Sequence, residues 1–144
     1  MLAEYHSFVN PYRAIPPFVQ HLTGIGPNDV NNAPPFGVVA GELSDFLGDS
    51  PIVGHSIGFD LEFLASHGLP LRNQTLDTYD LALIFLPSSS EYSLQFLLTQ
   101  LAVTHTQPHR ALADAHGAYQ LFLSLLNVAN SLGSAPLSFM DNLA

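Results

Sequence analysis

The sequence predicts an α/β fold, because short strand-like runs alternate along it with amphipathic helices. Residues 51–55 (PIVGH) are typical of a short buried strand, and residues 76–78 (LDT) of a second one. Residues 36–47 and 110–129 repeat apolar side chains at the spacing of a helix face. Hydrophobic residues make up 47% of the 144 residues and charged residues only 10%, which suits one domain with one buried core.

The N-terminal part of the chain predicts a strand and two short helical segments. Residues 5–9 (YHSFV) form a β-type run that stops at an Asn-Pro dipeptide. Pro16 and Pro17 predict a helix over residues 18–22, because Pro is tolerated in the first turn. Residues 28–32 predict one helical turn after a cluster of Gly and Pro.

The middle of the chain predicts a helix, a strand and a second helix. The helix over residues 36–47 is followed by Gly48, which suits a C-terminal cap. The strand at residues 51–55 leads through a turn (SIG) into a helix over residues 59–66 that ends near Gly68.

The C-terminal half predicts three helices and a tail. The helices are expected over residues 79–86, 93–101 and 110–129. Ser93 is the expected N-cap of the second. The third carries apolar side chains on two faces, which predicts burial on both sides. Residues 130–144, with Gly, Ser and Pro, predict a linker-like tail, so the domain is expected to span residues 1–129.

The composition restricts the class of protein. There are 3 Lys+Arg against 12 Asp+Glu, for a formal net charge of −9. Because binding to a nucleic-acid backbone by counterion release needs basic side chains, a metal ion or a partner must supply positive charge if the chain meets phosphates. The alternative is that the acidity only aids solubility. Without Cys there are no disulfides or thiolate metal sites, and without a membrane-length apolar run or a signal-peptide pattern we expect a cytoplasmic protein.

Four polar side chains lie where α/β folds build sites. Asp60 follows the strand at residues 51–55, Asp77 ends the next strand, and His109 and Asp114 lie at the start of the last helix. Carboxylate oxygens suit Mg²⁺ or Mn²⁺, and a His near neutral pH suits a general base. The structural alternative is that the acids favour helix starts, that Asp77 is a cap and that His109 is a surface residue.

Two further residues flank these candidates. His55, at the end of a buried strand, is either a hydrogen-bonded structural residue or a contact to a ligand. Phe59 is either a core residue or an aromatic that stacks on a nucleic-acid base. Ser56 lacks the G-x-S-x-G frame of a nucleophile, and the sequence has no G-x-G-x-x-G phosphate loop.

Taken together, these strings resemble the DEDDh group of 3′–5′ exonucleases, the family of the proofreading subunit of bacterial replicative polymerase. Residues 53–60 (VGHSIGFD) match the family motif V-x-H-N-x-x-F-D, with Ser56 in place of the usual Asn. Residues 109–114 (HRALAD) match the family motif H-x-x-x-x-D at the head of the last helix. The resemblance covers about residues 5–126, and its specificity comes from the order and spacing of the motifs.

The resemblance implies a ribonuclease H-like exonuclease fold and a role for each matched residue. Asp60 and Asp114 would bind two ions, Mg²⁺ or Mn²⁺, and His109 would be the general base that activates the attacking water. His55 and Phe59 would contact nucleic acid. The reaction would release nucleoside 5′-monophosphates from a 3′ end, with single-stranded DNA as the expected substrate. The family is often fused to helicase or polymerase domains, so such a partner domain is expected, in a protein of DNA replication or repair.

One family feature is missing from the residues before Phe8. The family motif D-x-E lies on its first strand, and Glu4 is the sole acid in that part of this sequence. We therefore expect a sheet without its first two strands, weak or no activity of this chain alone, and low solubility or assembly into larger species. Two alternatives are a degenerate exonuclease fold that acts as a non-catalytic binding module, and an unrelated α/β protein with a fortuitous match.

Overall fold

Seven helices and two short strands form the regular structure of the computed structural model, which describes residues 3–103 and 109–132. In chain order they are α1 (Pro17–Thr23), α2 (Pro27–Val30), α3 (Phe36–Leu47), β1 (Ile52–Gly54), α4 (Gly58–Ser66), β2 (Thr75–Asp77), α5 (Thr78–Phe85), α6 (Leu94–Gln100) and α7 (Ala111–Ser131). The predicted α/β class is confirmed, and each predicted helix is present with its ends within about two residues. No helix in the described part of the chain is both long and apolar enough to cross a lipid bilayer.

The chain divides into two compact units. The first consists of Met1–Ile52 and Gly58–Gln74, and the second of Val53–Ile57 and Thr75–Ala144. The predicted tail at residues 130–144 begins inside α7, which continues to Ser131, and its remainder from residue 133 lies outside the described residues.

The two strands form a small parallel sheet, β1 beside β2. Since parallel strands cannot be joined by a tight turn, α4 makes the crossover between them. The backbone N–H of Ile52 donates to the carbonyl of Gln74 at 2.8 Å and sets the register. Both strands are three residues long.

The predicted strand at residues 5–9 is wrong, because that segment has no regular structure. A β-type composition makes a strand only where a second strand supplies its hydrogen bonds. This segment is instead held within the first unit by one side-chain and one backbone hydrogen bond. The Tyr5 hydroxyl donates to the Glu42 carboxylate at 2.9 Å, and the Asn10 N–H donates to the Pro34 carbonyl at 3.0 Å.

Aromatic contacts join helices of the first unit. The rings of Phe36 in α3 and Phe63 in α4 meet edge to face at 6.4 Å, and Phe63 stacks on His67 at 4.2 Å. Gly48 follows α3 at φ 50°, where Gly avoids the steric cost of a Cβ, so the predicted glycine cap is confirmed.

The main hydrophobic core lies in the second unit, where α5, α6 and α7 pack together. Its fully buried leucines are Leu97, Leu98, Leu121 and Leu125, each 0% exposed. Ser93 accepts from the Phe96 N–H and caps α6, as predicted. On α7 the expectation of burial on both faces is wrong in part. The face with Leu121 and Leu125 is buried, whereas Tyr119 on the other face is 41% exposed.

Candidate functional site

The turn between β1 and α4 has a backbone conformation that its sequence only partly favours. Ser56 has φ 54°, in the left-handed region where a non-Gly residue is uncommon and Asn is enriched. This gives a physical reason for the Asn that the related motif carries at the same place. A Cβ on Gly54 would meet the side chain of Ile57 at 2.7–2.9 Å, so only Gly fits there. Ile57, 9% exposed, fills that space.

Asp77 holds this turn with both oxygens of its carboxylate. Its Oδ1 accepts from the Ser56 N–H at 2.8 Å, and its Oδ2 accepts from the Ile57 N–H at 3.0 Å. The same Oδ1 accepts from the Tyr79 N–H at 2.9 Å and thereby caps α5. The cap was predicted from the sequence and is confirmed. The bonds of the Asp77 carboxylate to the turn about 20 residues earlier were not predicted.

His55 is bonded through both ring nitrogens within the second unit. Its Nδ1 lies 2.9 Å from the Thr78 hydroxyl, and its Nε2 lies 2.9 Å from the Tyr92 carbonyl. Because a carbonyl only accepts, Nε2 carries the proton in the neutral ring. The Thr78 hydroxyl, 0% exposed, then donates either to Nδ1 or to the Gly54 carbonyl, which lies 3.0 Å away. This geometry favours the hydrogen-bonded structural interpretation of His55.

Burial lowers the pKa of His55 below its usual 6.5, against the bond to the Tyr92 carbonyl and the nearby Asp77 charge, which both raise it. The folded protein therefore resists protonation of this ring, whereas the unfolded chain takes up the proton near pH 6.5. The stability that the neutral ring contributes is present above pH 6.5 and is lost as the pH falls toward the lower folded pKa.

We therefore expect the free energy of unfolding to fall between pH 7.5 and pH 5.5, and to fall less in a His55→Gln variant, which cannot titrate there. Urea unfolding of both proteins at the two pH values measures the difference. His21→Gln, at an exposed position in α1, is the matched control and should follow the parent protein. Equal pH dependence in the parent and in His55→Gln would contradict this account of the ring.

Phe59 and Asp60 lie in the first turn of α4, in the first unit. Phe59 is 77% exposed, so the interpretation of this ring as a core residue is wrong. An exposed aromatic ring is available for stacking, as the nucleic-acid interpretation requires. Asp60 is exposed and its carboxylate lies at the positive end of a helix.

His109 and Asp114 lie at the start of α7, in the second unit. His109 is exposed and has φ 65°, and it precedes the N-cap Arg110. Asp114 is half-buried in the first turn, where its N–H donates to the Arg110 carbonyl at 2.9 Å. The candidate residues thus divide between the two units, and their convergence stays a prediction.

The donor chemistry of the two candidate carboxylates fits a hard divalent cation, since Mg²⁺ and Mn²⁺ prefer oxygen ligands and keep several waters. Within residues 3–103 and 109–132, no group of three or more His, Asp or Glu side chains is arranged to hold a metal ion. Asp60 and Asp114 are therefore candidate ligands that would need water or further oxygens to complete a coordination shell.

Comparison with protein families matches residues 2–122 to the family described as Exonuclease. Comparison with characterised proteins gives several relatives, among them two proteins named DinG. The 3′-5′ exonuclease DinG of Bacillus subtilis (strain 168) is 37% identical over 134 residues, which is 90% of this chain and 14% of that protein. The DinG of Staphylococcus aureus (strain USA300) is 33% identical over 128 residues, again 14% of its length.

A further relative is a polymerase subunit. The DNA polymerase III subunit epsilon of Treponema pallidum (strain Nichols) is 31% identical over 133 residues, which is 88% of this chain and 62% of that protein. The chain thus spans about a seventh of the DinG relatives and under two thirds of the epsilon relative.

Proposed function

We propose a 3′-end nuclease function for this chain because it belongs to the DEDDh-type exonuclease family, a family of 3′–5′ exonucleases and hence of hydrolases. The proposed reaction is hydrolysis of the terminal phosphodiester bond of a nucleic acid, which releases nucleoside 5′-monophosphates. Single-stranded DNA is the proposed substrate. A cytoplasmic protein of DNA replication or repair, with a helicase or polymerase as a fused or associated partner, is the proposed setting.

The observation that carries this proposal is the presence of two family motifs in the family's order. Residues 53–60 supply His55, Phe59 and Asp60, and residues 109–114 supply His109 and Asp114. The exposed ring of Phe59 beside an exposed acid supports it, because a ring that is 77% exposed adds nothing to a core.

Each residue has a proposed role that its chemistry suits. Asp60 and Asp114 would hold the divalent cations, two ions of Mg²⁺ or Mn²⁺ in the complete site. His109 would accept the proton of the attacking water, a role to which the imidazole side chain is suited. Phe59 would stack on the terminal base. At His55 the surrounding backbone would contact nucleic acid, because the ring nitrogens of His55 are bonded to Thr78 and Tyr92.

The cations, when bound, would neutralise charge on the scissile phosphate and lower the pKa of a coordinated water. They would also offset the formal net charge of −9, which otherwise repels a polyanion. Two carboxylates are few for two ions, so we propose that this chain alone has weak or no activity, and that oxygens from a D-x-E strand complete the site.

A nuclease assay tests the proposal. A 3′-labelled single-stranded DNA is digested in Mg²⁺ or Mn²⁺ by this chain and by the same chain preceded by the D-x-E strand segment of a relative. We expect the extended protein to release nucleoside 5′-monophosphates and this chain alone to release far less. Asp114→Asn in the extended protein should reduce the rate by at least about 10²-fold, because one oxygen ligand loses its charge.

Asp80→Asn is the control, because Asp80, like Asp114, is an acid in the first turn of a helix. That variant should keep the parent rate. If Asp114→Asn were as active as the parent, the metal-ligand role of Asp114 would be wrong. DNA binding without hydrolysis by the extended protein would favour the non-catalytic binding module instead.

A further inference from the structure

We propose that Asp77 is a positioning residue, whose carboxylate fixes the turn from which α4 begins and so sets the backbone that leads to Asp60. This inference rests on the proposed function, in which Asp60 binds a cation. It assigns to Asp77 a role beyond capping α5, on the evidence of three backbone hydrogen bonds made by one side chain.

The two carboxylate oxygens of Asp77 accept hydrogen bonds from different backbone N–H groups. Oδ1 is shared by the Ser56 N–H at 2.8 Å and the Tyr79 N–H at 2.9 Å. Oδ2 accepts from the Ile57 N–H at 3.0 Å. Because bonds from N–H groups to a carboxylate are stronger than bonds between neutral groups, Asp77 holds both residues of the turn from one anchor.

The backbone of Ser56 and Ile57 has to be held in its conformation by other groups. Ser56 has φ 54°, a left-handed conformation that is sterically unfavourable for a non-Gly residue. The side chain of Ile57 packs against Gly54 and leaves no room there for a Cβ. Without the two bonds from Asp77, Ser56 would relax toward the extended or right-handed regions, and the backbone of Ile57, directly before α4, would no longer be fixed.

The turn lies close in sequence to Asp60, the proposed cation ligand. Ile57 is followed directly by Gly58, where α4 begins, and Asp60 is the third residue of that helix. Since a helix is rigid over one turn, a change at Ile57 is passed to Asp60 without a flexible segment between them.

Asp77→Asn separates positioning from capping. An amide has one oxygen, so with that oxygen at the Oδ1 place it still caps Tyr79 and still accepts from Ser56, but its NH₂ faces the Ile57 N–H. Asp77→Ala removes all three bonds. Ser93→Ala is the matched control, because it removes the cap of α6, from the Phe96 N–H, and touches neither Ser56 nor Ile57.

The experiment measures amide hydrogen exchange by NMR in these variants. We expect Asp77→Asn to speed exchange of the Ile57 amide about five- to tenfold while the Tyr79 amide changes little, which a capping role alone would not produce. Asp77→Ala should speed exchange at Ser56, Ile57 and Tyr79. Ser93→Ala should leave Ser56 and Ile57 unchanged. Exchange at Ser56 and Ile57 that stays at the parent rate in both Asp77 variants would overturn the inference.

A second readout separates this inference from the proposed function. Mn²⁺ is titrated into each protein and the broadening of the Asp60 amide signal is followed. We expect Asp77→Asn to need about tenfold more Mn²⁺ for the same broadening, the usual cost of losing a residue that orients a ligand. Equal Mn²⁺ requirements, with faster exchange, would show that the turn is held but that Asp60 does not depend on it. If Mn²⁺ did not broaden the Asp60 amide signal in the parent chain, the proposed role of Asp60 as a metal ligand would be wrong. The proposal that Asp77 positions a cation ligand would then be wrong as well.

Discussion

Replacing His109 by Ala in the chain preceded by the D-x-E strand segment of a relative is expected to lower the rate of 3′-end hydrolysis by about 10²–10⁴-fold, the usual contribution of a general base. The effect should fall on kcat, since His109 is proposed to take a proton from water and not to bind the substrate.

His109→Asn makes this test sharper. His109 has φ 65°, a conformation that Ala adopts with strain and Asn adopts more readily. Asn therefore preserves the backbone but cannot act as a base at neutral pH. Loss of turnover in both variants would assign the loss to the missing base, and loss in His109→Ala alone would assign it to the backbone. His21→Ala, at an exposed position of α1, serves as the control for removal of an imidazole.

Leu121→Ala is expected to destabilise the second unit by about 2–5 kcal/mol, the range for removal of a buried leucine side chain. Leu121 is 0% exposed and belongs to the core formed by α5, α6 and α7. Truncation removes buried apolar surface and leaves a cavity that the surrounding leucines fill only in part. A loss of this size approaches the whole stability of a small domain, so the variant is expected to be largely unfolded at 37 °C.

Leu123→Ala is the matched control, because Leu123 lies two residues away on the same helix and is 37% exposed. Urea unfolding followed by circular dichroism measures both variants. The control should lose far less stability than Leu121→Ala. Similar losses would mean that the core does not depend on the face of α7 that carries Leu121.

Helices were predictable from the sequence because their signals are local. The apolar spacing of residues 36–47, the paired prolines at the start of α1 and the Ser93 cap each act within a few residues. The strand at residues 5–9 was predicted wrongly for the complementary reason. Strand formation depends on a partner elsewhere in the chain, and composition does not report whether that partner is present.

The candidate site was predictable as motifs but not as contacts. The spacing within residues 53–60 and 109–114 pointed to the family, and comparison with known proteins confirmed it. The bonds of Asp77 to Ser56 and Ile57 join residues about 20 positions apart, and no periodicity in the sequence encodes them. Phe59 was ambiguous because an aromatic residue suits both a core and a stacking surface, and only its exposure of 77% decides against the core.

The proposal that Asp60 and Asp114 bind a common cation is tested most directly by a crystal structure, grown with Mn²⁺, of the chain preceded by a relative's D-x-E segment. The metal is located by its anomalous scattering. The account predicts an Mn²⁺ peak bound directly or through one water by the carboxylates of both Asp60 and Asp114, with directly coordinated oxygens at about 2–2.5 Å. His109 should face a water at that metal. An Mn²⁺ ion bound elsewhere, or these two carboxylates too far apart to share an ion, would contradict it.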